Sequence, residues 1–362
     1  PHKFFLPHKR NTKKTHSSKI LSVEIMLKPI KVAFIRLTAM GDIIHSARIL
    51  PLLHQKLSQT HNPTFHWYVD SSFKEILESS PFVDKLIAIP LKQSIQQKSF
   101  KNLYLIYKTL KSESYDIVID LQGLIKSAIV GKFLHSKKYV GFDFKSTKES
   151  LAALFYTQKV HIPYHEHILL RNATLAFNAL NLPTPNLQTL FNPKPFLSFN
   201  PALTPQLPKN SKNILFVLET SKPNKTYPKS LFLELVKLFN TIGISPILLT
   251  HKTTINDSSL HFYHFTNLSL NAIKALLAQM DLIIGGDTGI THLAWALQKP
   301  SITLFGATPP KRFHLQTPIN LYLVATPDNT NKKSYDKKNF SIQTIPPQEI
   351  FNLAKSLLER KI

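Results

Sequence analysis

Twice in this chain a short run of apolar, β-prone residues breaks at a polar turn carrying glycine and gives way to apolar positions at helical spacing. In the first half, Lys31-Val32-Ala33-Phe34-Ile35 runs into Arg36-Leu37-Thr38-Ala39-Met40-Gly41-Asp42, and Ile43, Ile44, Ala47, Leu50, Leu53 and Leu57 follow. In the second, Leu282-Ile283-Ile284 runs into Gly285-Gly286-Asp287-Thr288-Gly289, and Leu293, Ala296 and Leu297 follow. Strand, tight turn and amphipathic helix in that order make the βα unit of a parallel sheet. In open α/β sheets such turns lie at the carboxyl edge of the strands, where ligands bind.

The alternation is general. Further strands are expected at 64–70, 86–90 and 115–120 in the first half, and at 213–218, 247–249 and 301–306 in the second. Between the halves, 181–212 is rich in Pro and Asn and has no sustained period, as suits an interdomain connection. The expected fold is α/β, with two Rossmann-like, doubly wound domains facing across a cleft that is the default ligand site. Residues 1–29 hold seven Lys/Arg and one acid, without an apolar stretch fit for a secretory signal, and are set aside as a leader. The domains are then 30–195 and 196–345, with a final helix in 346–362 that would pack back on the N-terminal domain.

Charge narrows the partner. Across 362 residues, 45 Lys and Arg stand against 21 acids, a formal +24. That balance favours an anionic partner: nucleic acid, a phospholipid surface or a phosphorylated substrate. The absence of cysteine removes disulfides, thiolate metal sites and cysteine nucleophiles. No HExxH or carboxylate cluster with ligand spacing is present, so no metal and no cofactor is expected. Every apolar run is interrupted too soon for a membrane-spanning helix, which leaves only peripheral contact with a bilayer.

Three turns carry groups capable of chemistry. Asp42, at the first turn of its helix, is either a cap that satisfies orphan amides or a carboxylate base delivered by a rigid turn. The exit of the 115–120 strand, Leu121-Gln122-Gly123-Leu124-Ile125-Lys126, repeats the glycine-bearing turn and is expected to share a cleft with Asp42. In the second half, the 285–289 turn offers amides and the positive end of a helix to a phosphate, with Thr288 and His292 one helical turn apart. Lys225, in the polar loop after the 213–218 strand, can neutralise a phosphate or simply sit solvated. A carboxylate base on one domain and an amide-rich basic site on the other suit transfer from a sugar nucleotide.

Four blocks sharpen this reading: Thr38-Ala39-Met40-Gly41-Asp42-Ile43-Ile44-His45, Asp120-Leu121-Gln122-Gly123-Leu124-Ile125-Lys126-Ser127-Ala128, Lys148-Glu149-Ser150-Leu151-Ala152-Ala153-Leu154-Phe155-Tyr156 and Gly286-Asp287-Thr288-Gly289-Ile290-Thr291-His292-Leu293. In this order they resemble the motif set of the lipopolysaccharide heptosyltransferases of glycosyltransferase family 9. The resemblance implies a GT-B fold and metal-independent, inverting transfer of L-glycero-D-manno-heptose from ADP-heptose to the 3-deoxy-manno-octulosonic acid (Kdo) of Kdo-lipid A. It puts the base on Asp42. Donor binding falls on Thr220, Ser221, Lys225, Asp287, Thr288, Gly289 and His292, and acceptor binding on Gly41, Gln122, Gly123, Lys126 and Lys132. For the donor ribose, Asp257 is the available acid after the 247–249 strand. The implied location is cytoplasmic, peripheral to the anionic inner membrane, with no nucleic acid partner. The alternatives are a related family member with another core acceptor, or a basic nucleic-acid-binding protein.

Overall fold

The computed structural model describes residues 27–192, 195–207, 212–325 and 338–360. The first half forms one six-stranded parallel sheet from β1 (Lys28–Ile35), β2 (His61–Asp70), β3 (Lys85–Ile89), β4 (Ser114–Asp120), β5 (His135–Phe142) and β6 (Gln158–Val160). Its order is β3-β2-β1-β4-β5-β6. The second half builds another from β7 (Ile214–Val217), β8 (Ile247–Thr250), β9 (Tyr263–Thr266), β10 (Leu282–Gly286), β11 (Ser301–Phe305) and β12 (Asn320–Val324), in the order β12-β11-β10-β7-β8-β9. Counted within its own half, each sheet has the same order, and its first and fourth strands lie side by side. The chain therefore reverses winding direction between β1 and β4, and again between β7 and β10. Ligands bind at such switch points.

Register brings the sequence motifs to those points. Ile35 at the end of β1 pairs with Asp120 at the end of β4, so the 36–42 and 121–124 turns leave the sheet together. Val217 of β7 pairs with Gly285 of β10, which does the same for the 218–228 and 286–289 turns. Val32, Phe34, Ile119, Val217 and Ile283 are fully or almost fully buried, because central strands are covered by helices on both faces and read as continuous apolar runs.

Several elements differ from the sequence expectation. Lys28 and Pro29 belong to β1, so that part of the expected leader is folded; residues 1–26 lie outside the described residues. β5, β6, β9 and β12 had no expected counterpart: they lie toward the sheet edges, where polar starts such as His135-Ser136-Lys137 weaken the apolar signal. The final helix, Pro347–Glu359, does not return to the first half. Its Ile350, Phe351, Ala354 and Leu357 are buried with Phe216, Phe232, Val236 and Phe239 of the second. Tyr227, also in that core, donates its hydroxyl to the Ile345 carbonyl at 2.6 Å and holds the approach to this helix.

One apolar cluster runs through both halves, from Val32 and Phe34 through Ile43 and Ala47 to Val217, Leu293 and Trp295. Polar ties reinforce it. Glu75 Oε2 accepts from the Asn271 amide at 2.9 Å, and Glu78 Oε2 from Asn271 Nδ2 at 2.7 Å. His167 Nε2 donates to the His314 carbonyl at 2.9 Å. Among the described residues, no helix is long and apolar enough to cross a membrane.

Candidate active site

Asp42 sits in the helix Met40–Ala47, but Ala39 is its N-cap and Asp42 is the third helical residue. The capping alternative therefore falls. Its Oδ2 instead meets Arg36 Nη2 at 2.9 Å, and its side chain remains partly exposed. Arg36 is buried, donates Nη1 to the Leu121 carbonyl, and leaves Nε without a hydrogen-bond partner. The carboxylate is thus held from below by a guanidinium anchored to the neighbouring turn, with one face free.

That turn is built around Asp120. Its Oδ1 accepts from the Gln122 and Gly123 amides at 2.8 and 3.2 Å, and its Oδ2 from the Ser127 and Tyr156 hydroxyls, each at 2.8 Å. Burial pushes the Asp120 carboxyl up, against the pull of those donors. Gly123 adopts φ +66°, which favours glycine. Gln122 Oε1 reaches back to the Leu37 and Thr38 amides at 2.7 and 3.2 Å, tying the two motif turns together, while its Nε2 is buried without a partner. The 148–156 block supports the same structure: Tyr156 holds Asp120, and Glu149 Oε2 accepts from the Ile125 amide at 2.8 Å.

Above these turns lies a cavity of about 330 Å³ lined by residues of both halves. Asp42 is the one acid among its described lining residues; Arg36, Lys148, Arg171 and Arg312 are the cations. Arg171 donates to the Ile162 and Ser146 carbonyls at 2.9 and 2.6 Å, and burial pushes its guanidinium down to about 10. Arg312, from the segment after β11, stacks 4.0 Å above the Tyr164 ring, and Arg171 lies 5.3 Å from the same centroid. Buried Arg312 Nε, Thr147 Oγ1 and both polar atoms of Asn172 lack hydrogen-bond partners, so the wall retains capacity for a polar anion.

A second cluster lies at the other switch point. Lys225 Nζ pairs with Asp287 Oδ2, and His292 Nε2 meets Asp287 Oδ1 at 3.1 Å. Burial alone would push the Asp287 carboxyl up, but Lys225 and His292 outweigh it and hold the group well below the usual carboxylate range. Both carboxylate oxygens of buried Asp287 are engaged by protein side chains, one by Lys225 and one by His292. Gly286 lets the Lys225 loop lie directly on β10, since a Cβ there would sit 2.2 Å from the Lys225 carbonyl oxygen. Thr220 braces this loop through the Lys222 carbonyl and the Thr226 hydroxyl, at 2.7 and 2.9 Å; Ser221 is exposed. Thr288 caps the helix Gly289–Ala296 and bonds with Thr291.

The two clusters touch where the helices Met40–Ala47 and Gly289–Ala296 cross. A Cβ on Gly41 would lie 2.6 Å from His292 Cδ2, and one on Gly289 2.2 Å from Met40 Sδ. Both glycines, expected at acceptor and donor respectively, are occupied by this crossing. His45 packs against His292 with ring centroids 4.4 Å apart and the planes tilted by 60°.

Three expectations shift. Lys126 is at the cavity's edge, donating to Thr38 Oγ1 at 3.2 Å. Lys132 is not brought to the cavity, because the helix Ile125–Phe133 runs away from the strand ends and leaves it exposed in the last turn. Asp257 is engaged with Ser259, whereas Glu219 accepts from the His251, Lys252 and Thr253 amides at 2.6, 3.2 and 3.1 Å just past β8. Those bonds outweigh partial burial and hold the Glu219 carboxyl low. Sequence alone does not single out Glu219, Arg36, Lys148, Arg171 or Arg312; the available signal is the place of Arg36 at the head of the 36–42 turn and of Lys148 at the head of the 148–156 block.

Comparison with known proteins gives this geometry a context. Residues 104–342 match the family model described as glycosyltransferase family 9 (heptosyltransferase). A lipopolysaccharide heptosyltransferase 1 from Campylobacter coli is 38% identical over 357 residues, covering 90% of this chain and 98% of the relative. The protein of that name from Escherichia coli K12 is 27% identical, covering 77% of this chain and 89% of its own length. A solved E. coli heptosyltransferase, WaaC with ADP, superposes with a TM-score of 0.73 at 22% identity, covering 91% of this chain and 100% of that one.

Proposed function

This chain belongs to glycosyltransferase family 9, the heptosyltransferases, and from that premise we propose that it moves L-glycero-D-manno-heptose from ADP-heptose to the Kdo of Kdo-lipid A, with Asp42 as general base. The observation that carries the reading is the place of Asp42: the one acid among the described lining of a basic cavity, a helix crossing away from the Lys225–Asp287–His292 cluster. Arg171, Arg312 and Lys148 are placed to hold an anionic acceptor, which gives the chain's positive charge a use other than nucleic acid.

The mechanism is a single displacement. Asp42 takes the proton of the acceptor hydroxyl as its oxygen attacks the anomeric carbon, and the bond from that carbon to the diphosphate breaks. ADP departs with the bonding electrons. Lys225 and the first-turn amides of Gly289–Ala296 offset the charge it gains. Arg36 positions the base, and the rigid turn supplies orientation. The acceptor's lipid implies peripheral contact with the anionic cytoplasmic face of the inner membrane.

The test is a transfer assay with ADP-heptose and Kdo-lipid A, alongside a panel of other sugar nucleotides. Asp42→Asn should lower kcat by about 10²–10⁴-fold while ADP binding persists. Parent-like turnover by that variant removes the base assignment, and preference for another donor removes the heptose.

A further inference from the structure

A second site lies on the outer helical layer of the first sheet, apart from the cavity. The helices Leu91–Gln96, Phe100–Lys111 and Ile125–Phe133 enclose a groove of about 240 Å³. Leu91, Leu103, Tyr107, Ile129 and Phe133 are among its lining residues, and Lys126 is the one charged group. Beside it the apolar surface rises into solvent: Phe100 is 83% exposed and Tyr104 65%. Apolar side chains of that size, clustered and exposed, mark an interaction surface.

The charge carried by the groove's own helices is of one sign. Residues 91–112 contain five lysines and no acid, and the helix Ile125–Phe133 adds Lys126 and Lys132 and no acid. Lys92, Lys98, Lys101, Lys108, Lys126 and Lys132 are exposed. Two copies meeting through this face would oppose lysine to lysine, which disfavours self-association. Exposed aromatic and aliphatic groups within a ring of ammonium groups instead match an anionic bilayer, whose interface accepts the rings while its headgroups pair with the lysines.

We infer that this face docks the protein on an anionic lipid bilayer. It deepens the proposed function, resting on that reading only in that a lipid-linked acceptor must be met at a membrane. Lys126 joins the two sites: it lines the groove and also donates to Thr38, which lines the cavity, so a docked molecule presents the cavity mouth next to the bilayer. Lys132, outside the cavity, takes its place here on the outward side of the Ile125–Phe133 helix.

The test is flotation of the full chain with phosphatidylcholine vesicles, with or without about one-third phosphatidylglycerol. The parent should float with the anionic vesicles and largely lose them at high salt. Lys101→Glu/Lys108→Glu should reduce partitioning at least about tenfold, since each lysine near an anionic surface is worth about fivefold. Phe100→Ser/Tyr104→Ser should also reduce it at least about tenfold by removing the inserted rings. Both side-chain pairs are outside the transfer site, so turnover with a deacylated, water-soluble Kdo acceptor should match the parent. Parent-like flotation by both variants, or equal binding of the parent to neutral vesicles, overturns the docking face. So does equally tight capture by single-stranded RNA that both variants lose. Lost transfer with intact flotation would count against the proposed activity instead.

Discussion

Gly41→Ala tests whether the helix crossing couples the two halves of the site. The new methyl would lie 2.6 Å from His292 Cδ2 and 3.3 Å from Nε2, so the ring must move by about 1 Å to restore ordinary contact. It has little room, with the tilted His45 ring packed against it at 4.4 Å between centroids and Asp287 bonded at 3.1 Å. Overpacking of this kind costs about 1–3 kcal/mol, against which alanine in a helix recovers up to about 1 kcal/mol. A net loss of about 1–2 kcal/mol should appear as a lower Tm and, because a displaced His292 releases one side of Asp287 and so loosens Lys225, as roughly tenfold weaker ADP binding. Calorimetric ADP titration and thermal unfolding of the parent, Gly41→Ala, His292→Ala and the double variant make a complete cycle. The clash needs the ring, so the double variant should lose about 1 kcal/mol less than the sum of the singles. Strict additivity, or a Gly41→Ala protein that unfolds and binds ADP like the parent, refutes the reasoning.

Two further outcomes are expected. Lys225→Met should weaken ADP binding and slow transfer together, since the cation that offsets the departing diphosphate is gone; unchanged kinetics would remove that assignment. Acid should loosen the contact between the halves. Burial lowers His167 from 6.5 to about 4, and its neutral form both donates Nε2 to the His314 carbonyl and accepts the Leu169 amide on Nδ1. A folded-state value below the unfolded one means that stability is present above pH 6.5 and is lost as pH falls toward 4, by up to about 3 kcal/mol for the full shift. Tm should therefore hold between pH 8 and 7 and fall below pH 6.5, with a shallower fall in His167→Gln; equal slopes would contradict this.

What the sequence makes legible here is whatever a few consecutive residues decide. A buried strand followed by a glycine-bearing turn marks itself locally, so the Asp42, Gln122 and Asp287 turns can be read at the strand ends, and Lys225 by its place in the polar loop after the 213–218 strand. The cavity's cations cannot be read this way. Arg171 and Arg312 belong to different halves and meet on Tyr164 only after both sheets have formed, and neither lies in a turn that announces itself. The packing partner of the final helix is hidden for a related reason. Its apolar face shows that it packs, but the partner is chosen by the apolar flank of Phe239 and Val236, which this helix helps to bury. The resemblance puts Lys132 at the acceptor beside Lys126, but the helix Ile125–Phe133 carries the two to different ends.

Residues 189–192, where the chain leaves the first half, are gripped from both sides. Arg48 donates to the Thr189, Leu190 and Asn192 carbonyls at 2.6, 3.0 and 3.3 Å, and Trp295 donates to the Phe191 carbonyl at 3.0 Å, so helices from both sides grip the same stretch. This grip should make covalent continuity farther along dispensable. A gene divided at Pro205 would encode two polypeptides, the first ending in a handle that Trp295 of the second already clasps. Co-expressed, such fragments should find each other through the shared core, and sugar transfer would report their reunion.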